Sequence, residues 1–282
     1  ETFRMERSFP AVARHYYNFR ALYRRVDPDL ESLRPLGDPT VLDEDGKAEV
    51  LSALPTTAPL NVLALLRRTA FLSMGELRKI DVATVRTLLT FDPQRNYAEH
   101  DTETAASFLD RLALPTRARQ ILVRVFCRAD AHDETNLSAA ELLSLLHSHF
   151  LGNPEGLALD APDEPISDAF FSPIERQLAQ LGVNVLLGGA VDDVEHARGD
   201  KLVVTANTGT FECDGLVIAL NVGGVQQLFS RSRHLRADAD LAKNIASLTT
   251  APPFCVWRAF LDRSADPARP VYASVLGRPA AL

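Results

Sequence analysis

The sequence predicts a mixed α/β protein in which a helical half precedes a half built on strands. Apolar residues recur at helical spacing in the segments 11–26 and 105–150. Near residue 182 this spacing changes to the two-residue alternation that is typical of strands. The segment 216–220, "LVIAL", is an uninterrupted apolar run, which favours a strand buried on both faces in a layered α/β core.

Composition limits the classes of function. The chain has 282 residues, 46% of them hydrophobic and 24% charged, which is enough for one large core or two. Its net charge of −7 argues against a nucleic-acid binder, because neutralising many phosphates requires a surplus of Lys and Arg. Two local basic clusters remain, and they are either solvated faces or contacts for anionic lipid or phosphate: Arg20, Arg24 and Arg25, and Arg231, Arg233, His234 and Arg236.

The cysteines and the apolar runs bear on location. The three cysteines are far apart and form no CxxC pair, so the sequence predicts neither a disulfide framework nor a zinc site, and a reducing, cytoplasmic environment fits. No apolar run approaches the roughly 20 residues of a membrane span. The chain begins without Met and has no signal-peptide pattern, which predicts a processed or excised chain that starts inside a domain.

The first elements are a helix and a hairpin. In 11–26 the residues Val12, Tyr16, Phe19 and Tyr23 form a helical stripe that Pro28 closes. Two short strands are expected in 38–50, on either side of a turn at Glu44, Asp45 and Gly46.

Three helices are predicted to form a small bundle in the middle of the chain. The first carries Ala105, Phe108, Leu109 and Leu112 on one face, with Asp101 as its N-cap and Pro115 as its end. The second covers 118–125. The third begins at a capping box of Ser138 and Glu141, and its apolar face holds Ala139, Leu142, Leu143, Leu146 and Phe150.

A Pro/Gly/Asp-rich connection follows residue 152, and strands dominate afterwards. A helix leads to strands at 183–187 and 190–196, and a hairpin through Gly199 and Asp200 continues into "KLVVTANT". The alternating strand "GTFEC" follows, and a short helix starts at "GGVQQLF". The segment 253–262 alternates like a strand. The predicted domains are 1–165, mainly helical, 166–251, rich in strands, and 252–282, a strand that returns to the first domain.

Few residue patterns carry chemistry of their own. The glycines of "LNVGGVQQL" follow a predicted strand, but the pattern is not GxGxxG, and a tight strand-to-helix turn explains it as well as a phosphate loop does. The pairs His100-Asp101 and His132-Asp133 are either metal ligands or residues of helix boundaries. His147 and His149 are two residues apart, so they form a poor chelate. Tyr16, Tyr17, Phe19 and Tyr23 either line a channel for a long apolar ligand or belong to the core.

Two stretches carry a family resemblance. "IERQLAQLGVNVLLGGAVDDV" followed by "KLVVTANTGTFECDGLVIAL" resembles the central part of flavin amine oxidases and phytoene-desaturase-type enzymes. More narrowly, "MERSFPAVARHYYNFRALYRRVDPDLESLRPL", "APLNVLALLRR" and "SAAELLSLLHSHFLGNPEGLALDAP" resemble carotenoid desaturases of the isorenieratene synthase (β-carotene desaturase/methyltransferase) type. The likeness covers nearly the whole chain.

The resemblance implies a fold, a cofactor and an activity. The fold is flavin amine oxidase-like, with a partial FAD-binding domain at 166–251 and a substrate domain at 1–165. The cofactor is FAD, and the activity is that of an oxidoreductase, a desaturase of carotenoid biosynthesis acting on a carotenoid or another long polyene. An amine oxidase-like flavoenzyme is the alternative within enzymes. A non-catalytic protein that binds an apolar ligand or a partner is the alternative outside them. The glycine-rich loop would lie before Glu1 and the second flavin motif after Leu282.

The resemblance also assigns site residues. Val191 would contact the adenine end of FAD through its backbone, Ala219 would lie where the buried strand approaches the cofactor, and Arg7 and Ser8 would lie near the flavin ring. The substrate is assigned to Tyr16 and Tyr17. Ser8 and Pro10 stand where the family has Gly and His, and a serine tolerates a positive φ less well than a glycine does.

Peripheral membrane contact is the remaining expectation. A carotenoid leaves a bilayer to reach its enzyme, so the helix 139–150, with Leu145 and Leu151 beyond its main stripe, and the helix 11–26 would form an apolar opening beside Arg20, Arg24 and Arg25. Otherwise neighbours cover both helices and the arginines pair with Asp27, Asp29 and Glu31.

Overall fold

A computed structural model describes residues 10–37, 40–42, 48–50, 60, 64, 86–87, 90–113, 119–120, 133–153, 155–197, 199, 201–250, 253, 259, 261–263 and 273–275. The chain folds as two compact units. The first unit comprises residues 1–177 and 253–282, and the second comprises 178–252. The predicted helix 118–125 lies outside the described residues, apart from residues 119 and 120. Pro115 and most of the predicted strand 253–262 also lie outside them.

The first unit contains a small antiparallel sheet with the strand order β1-β5-β2, where β1 is Val12–Ala13, β2 is Leu33–Pro35 and β5 is Leu159–Pro162. Asp160 of β5 lies opposite Val12 and is 3% exposed. Arg14 donates to its carboxylate from Nε and Nη2, at 3.1 and 3.0 Å from Oδ1, and Arg20 donates from Nη1 at 2.8 Å. The buried carboxylate is therefore neutralised by two guanidinium groups.

Helix α1 is shorter than the periodicity predicts. It spans Tyr17–Tyr23, because Val12 pairs in β1 with Asp160 and the chain turns before Tyr16. Tyr23 is fully buried, stacks on Phe170 at 4.9 Å and shares a hydrogen bond of 2.7 Å with Ser32 Oγ. The core around it contains Leu30, Leu33, Phe170 and, partly buried, Phe19, Val26, Ile166 and Ile174.

The hairpin predicted in 38–50 is confirmed. Strands β3, Thr40–Leu42, and β4, Ala48–Val50, are antiparallel, with Thr40 opposite Val50 and Leu42 opposite Ala48. Strand β9, Ala273–Val275, pairs with β3 in parallel and places the end of the chain in the first unit.

Three further helices of the first unit are α2, Pro93–His100, α3, Ala105–Leu112, and α4, Ala139–Leu146. The predicted apolar faces are confirmed: Ala105, Phe108, Leu109 and Leu112 of α3 are buried, as are Ala139, Leu142, Leu143, Leu146 and Phe150 in and after α4. The predicted N-cap Asp101 is wrong, because Thr104 caps α3 through Ser107 N. Ser138 caps α4 through Glu141 N, as predicted.

Two π-helical segments continue this unit. One, His147–Leu151, extends α4, and the other, Ser167–Phe171, leads into α5, Ser172–Gln180. Leu151 is only 8% exposed, so it does not extend an apolar opening as the sequence predicts. No helix among the described residues is long and apolar enough to cross a membrane.

The second unit contains an antiparallel meander of β6, Val191–His196, β7, Leu202–Ala206, and β8, Gly209–Cys213. Helix α6, Val222–Arg231, packs on β6, and α7, Ala239–Ser247, packs on α6. Val194, Val204, Leu228 and Phe229 form its buried apolar centre. Ser232 is fully buried and donates from Oγ to Val194 O at 2.7 Å, which ties the end of α6 to β6.

Two predicted strands of this unit are absent. Residues 183–187 and 216–220 are described and belong to no strand, and their apolar side chains are exposed: Leu187 is 82% exposed, Leu220 52% and Val217 90%. A strand requires a hydrogen-bonded neighbour, and among the described residues neither segment has one. In the run 216–220, Val217, Ala219 and Leu220 are exposed and Leu216 and Ile218 are half-buried, so neither face is fully buried.

Candidate functional site

Two of the four residues assigned to the cofactor, Val191 and Ala219, lie in the second unit. Val191 begins β6, is 39% exposed and lies opposite Ala206 next to an irregularity in the register. Asn207 holds this end of the strand, since its amide accepts from Ala190 N at 2.9 Å and donates to Gly188 O at 3.2 Å. These bonds hold the start of β6 in place, and Val191 is exposed there. Its contact with adenine stays a prediction.

Ala219 lies in the exposed apolar segment that precedes α6. Its side chain is a single methyl group, so a planar group can approach the backbone closely at this position. The next residues form the strand-to-helix turn in which the sequence offers glycines. Asn221 caps α6 by accepting from Gly224 N at 2.7 Å, and a Cβ added at Gly224 would lie 3.1 Å from Asn221 Oδ1. The turn is therefore built around its own cap, and Asn221 takes up one of the backbone N–H groups at the start of α6.

The other two residues assigned to the cofactor, Arg7 and Ser8, lie outside the described residues, as does most of the segment "ERSFP". Their proximity to the flavin ring stays a prediction.

The residues assigned to the substrate lie in the first unit, at the start of α1. Tyr16 is 44% and Tyr17 57% exposed, so neither belongs to the core, whereas Phe19 and Tyr23 do. The Tyr17 hydroxyl lies 3.5 Å from both Asn153 Oδ1 and Glu155 Oε2. Tyr16 and Tyr17 are thus available to line a channel for an apolar ligand, whereas Phe19 and Tyr23 belong to the core.

Two histidines complete an aromatic cluster at Tyr16. The ring centroids of His15 and His149 are 4.7 Å apart and nearly perpendicular, and the Tyr16 ring lies 4.8 Å from that of His15 and 6.1 Å from that of His149. Nδ1 of His15 is buried without a hydrogen-bond partner. We call His15, Tyr16 and His149 the ring cluster.

The loop after the π-helical segment fixes one member of the ring cluster. His149 Nδ1 donates to Gly156 O at 3.2 Å. A Cβ at Gly156 would lie 2.3 Å from His149 O, so only glycine permits this close approach of the two backbones. Gly152 similarly approaches the His147 carbonyl, at 2.9 Å for an added Cβ. The π-helical segment and its two glycines therefore set the position and the tautomer of His149.

The electrostatics of the ring cluster favour a neutral His15. Burial lowers the pKa of His15 below its ordinary value of 6.5, and the neighbouring His149 lowers it further, while Glu155 acts in the opposite direction. At neutral pH His15 is therefore uncharged and holds an unsatisfied buried nitrogen, an arrangement that costs about 1–3 kcal/mol in general.

The described members of the two histidine–aspartate pairs, His100, Asp101 and Asp133, belong to no metal-binding group of side chains. Among the described residues no group of three or more His, Cys, Asp or Glu side chains is placed to hold a metal. His100 lies at the end of α2 between Glu99 and Glu103, with Nδ1 3.5 Å from Glu103 Oε2. Asp133 accepts from Thr135 N in a turn, and His132 lies outside the described residues.

The ring cluster is not predicted from the sequence. The sequence suggests His149 only as a possible partner of His147 and does not single out His15. One signal was available, because the run "HSHF" is followed by "LGNPEG", in which two glycines permit close backbone approach. The pairing of β1 with β5, which brings residue 15 to residue 149, requires a long-range register that the sequence does not show.

Comparison with known proteins identifies the family. Residues 5–265 match the family model described as flavin containing amine oxidoreductase. The chain is 36% identical over 276 residues to a carotenoid phi-ring synthase of Streptomyces griseus, covering 98% of this chain and 53% of that protein. It is 26% identical over 192 residues to a carotenoid phi-ring synthase of Chlorobaculum tepidum, covering 67% of this chain and 29% of the relative. The chain thus spans about half or less of the length of these relatives.

A solved structure supports the fold. A double mutant of putrescine oxidase, redesigned in cofactor binding, superposes with a TM-score of 0.53 at 14% identity, covering 79% of this chain and 49% of that one. This likeness confirms the predicted flavin amine oxidase-like architecture of mixed helices and sheets. From the match over most of its length, the chain belongs to the flavin containing amine oxidoreductase family, whose cofactor is FAD.

Proposed function

We propose that this chain is the central part of an FAD-dependent oxidoreductase that removes hydrogen from a carotenoid. The observation that carries this proposal is the 36% identity to a carotenoid phi-ring synthase along 98% of the chain. A desaturase reaction of the isorenieratene synthase type is the finer form of the proposal, and it rests on the sequence resemblance described above.

The described residues fit FAD in part. Val191 and Ala219 are exposed, which supports the adenine contact of Val191 and the approach of the segment at Ala219 to the cofactor that the resemblance assigns to them. At the N-terminus of α6, Asn221 already accepts from Gly224 N, so this backbone N–H is not available to a pyrophosphate. A complete FAD site therefore requires phosphate-binding groups beyond those at α6.

The cofactor and the substrate would each be held mainly by one of the two units. When bound, FAD accepts a hydride from the substrate. The exposed segments 183–187 and 216–220 offer the apolar surface of a cofactor layer, and Tyr16 and Tyr17 offer aromatic faces on which a long polyene can lie. Domain roles follow the same division, with the cofactor held by residues 166–251 and the substrate by the first domain.

Flavin reduction tests the activity directly. The chain is saturated with FAD without oxygen and mixed with a carotenoid in detergent micelles or, separately, with putrescine. We expect the absorption band of oxidised flavin to disappear with the carotenoid only. Reduction by putrescine alone would favour the amine oxidase-like alternative. Reduction by neither would favour the non-catalytic alternative.

Membrane contact, as part of this proposal, rests on fewer arginines than the sequence predicts. Arg20 is only 14% exposed and pairs with Asp160, not with Asp27, Asp29 or Glu31, so it does not face lipid. Arg24 and Arg25 are exposed beside Leu22, which is 42% exposed. Flotation with anionic liposomes should be lost on Arg24→Glu/Arg25→Glu and unchanged on Arg34→Glu. Equal flotation of all three proteins would remove these two arginines from the proposal.

A further inference from the structure

The ring cluster holds a histidine whose second nitrogen is prepared to accept a proton. His149 donates its Nδ1 hydrogen to the Gly156 carbonyl, so in the neutral ring the lone pair is on Nε2. Among the described residues none hydrogen-bonds Nε2. The side chain is partly exposed, so a ligand that lies on Tyr16 can reach it.

The surroundings hold this ring in one orientation. The π-helical segment displaces His149 from regular helical spacing, Gly156 contacts its backbone, and His15 packs edge-on against its face. A side chain locked in this way by main-chain contacts is typical of a residue with a positional task, because π-helical segments and close glycine contacts are kept where geometry matters.

His15 is not an equivalent candidate. Its Nδ1 is buried and has no partner, so a substrate cannot use that atom. A buried acceptor without a donor is tolerated more easily than a buried donor without an acceptor, which places the His15 hydrogen on Nε2. His15 therefore supports His149 as a neutral neighbour.

We infer that Nε2 of His149 accepts the proton that a carotenoid loses when this protein oxidises it. The inference rests on the proposed function. Removing hydrogen from two neighbouring carbons breaks two C–H bonds. One hydrogen would leave with its electron pair, as the hydride that bound FAD would accept. The other leaves as a proton to Nε2 of His149, and its electron pair becomes the second bond of the new C=C. The imidazolium then returns the proton to water at the partly exposed edge of the ring.

The first test is independent of FAD. Diethyl pyrocarbonate acylates an unprotonated imidazole nitrogen, and mass spectrometry of peptides locates the product. We expect His149 to be modified in the chain alone, and carotenoid-loaded micelles to slow its modification while empty micelles do not. NMR of the histidine-labelled chain should show the Nδ1–H tautomer for His149. An Nε2–H tautomer, or equal modification with loaded and empty micelles, would overturn the inference.

The second test separates this inference from the proposed function. His149→Asn keeps a donor close to the position of Nδ1, and therefore the bond to Gly156, but removes Nε2. His147→Asn, on the same π-helical segment, is the matched control. With FAD saturating, flavin reduction by the carotenoid should be about 10²–10⁴-fold slower in His149→Asn than in the control.

The outcomes are distinguishable. If the unaltered chain reduces flavin and His149→Asn does so at the same rate, the inference fails and the proposed function stands. If the unaltered chain saturated with FAD is not reduced by a carotenoid, the proposed function fails, and the inference fails with it.

Discussion

At the scale of single residues, the contacts that a glycine or a histidine makes in the fold determine its role more than its residue type does. Gly156 and His149 are ordinary residues in the sequence, yet their backbones touch so closely that a methyl group has no room. His15 is buried beside a second histidine, which makes its charge costly. Both effects yield measurable consequences.

Gly156→Ala should destabilise the first unit. The added Cβ would lie 2.3 Å from the carbonyl oxygen of His149 and 2.6 Å from its Cα, so the backbone must move. We expect a loss of about 1–3 kcal/mol in the free energy of unfolding, as in other overpacked sites. Gly215→Ala, where nothing lies within 4 Å of the added atom, is the control. Urea denaturation measures both, and a Gly156→Ala protein as stable as the control would contradict the described contact.

The chain should lose stability as the pH falls through the titration of His15. Because burial and His149 lower the pKa of His15 in the folded state, the unfolded chain binds the proton more readily. The stabilising contribution is complete above the ordinary pKa of 6.5 and declines as the pH falls from there toward the folded value. Urea denaturation at pH values on both sides of this window should show a smaller decline for His15→Gln than for the unaltered chain. An equal decline in both would refute the assignment, and His196→Gln, at an exposed histidine, is the control.

At the scale of elements, polar groups that bridge neighbouring strands and helices hold the first unit together. The first residue of α3 and that of α4 each bond to the residue before the other helix's cap: Ala105 N donates to Leu137 O, and Ala139 N donates to Glu103 O, both at 2.8 Å. Asp160 plays a similar part for β1, α1 and β5, since both its arginine partners come from outside its own strand.

Asp160→Ala should be far more costly than removal of a neighbouring surface ion pair. Its carboxylate is 4% exposed, and its loss leaves Arg20, 14% exposed, without its anion. Breaking a buried pair costs about 3–5 kcal/mol. Asp163→Ala removes the partner of Arg34, where the side chains are 40% and 66% exposed, and should cost less than about 1 kcal/mol. Thermal unfolding compares the two, and similar losses would show that Asp160 is not a buried partner in solution.

At the scale of the whole molecule, the described residues of the second unit expose a group of large apolar side chains: Leu181, Leu186, Leu187, Val217 and Leu220. In the first unit the apolar faces of α3 and α4 are buried, although Tyr16, Tyr17, Leu22 and Phe171 are exposed. Exposed patches of this kind mark surfaces that contact another group or chain segment. The next prediction tests the exposure of Val217.

Lysine at position 217 should improve solubility at no cost in stability. Val217 is 90% exposed, and substitutions at such positions usually change stability by less than about 0.5 kcal/mol. Val217→Lys should raise the concentration at which the chain aggregates and leave its thermal midpoint unchanged. Val194→Lys, at a residue 1% exposed, should unfold the second unit. A loss of stability in Val217→Lys would show that residues 216–220 are buried in solution.

The 282-residue chain should bind FAD weakly and lose it on gel filtration. The sequence has no strand–GxGxxG–helix unit. At the N-terminus of α6, Asn221 already accepts a hydrogen bond from Gly224 N. The pyrophosphate therefore lacks the helix N-terminus and the backbone donors that normally hold it. Flavin absorbance of the eluted protein measures retention, and stoichiometric FAD after gel filtration would refute this prediction.

The sequence by itself determined the features that depend on local pattern. Helical spacing predicts the buried faces of α3 and α4. A capping box predicts the Ser138 cap, and a turn signal predicts the hairpin of β3 and β4. Each of these signals depends on residues close together in the chain. The sequence also carried the family resemblance, from which FAD is predicted as the cofactor. Tertiary structure alone decided where non-local contacts fall. Pairing of β1 with β5 shortened α1 and brought His15 to His149. Among the residues that the structure describes, no strand pairs with 183–187 or 216–220, and an apolar run becomes a buried strand only when another strand pairs with it.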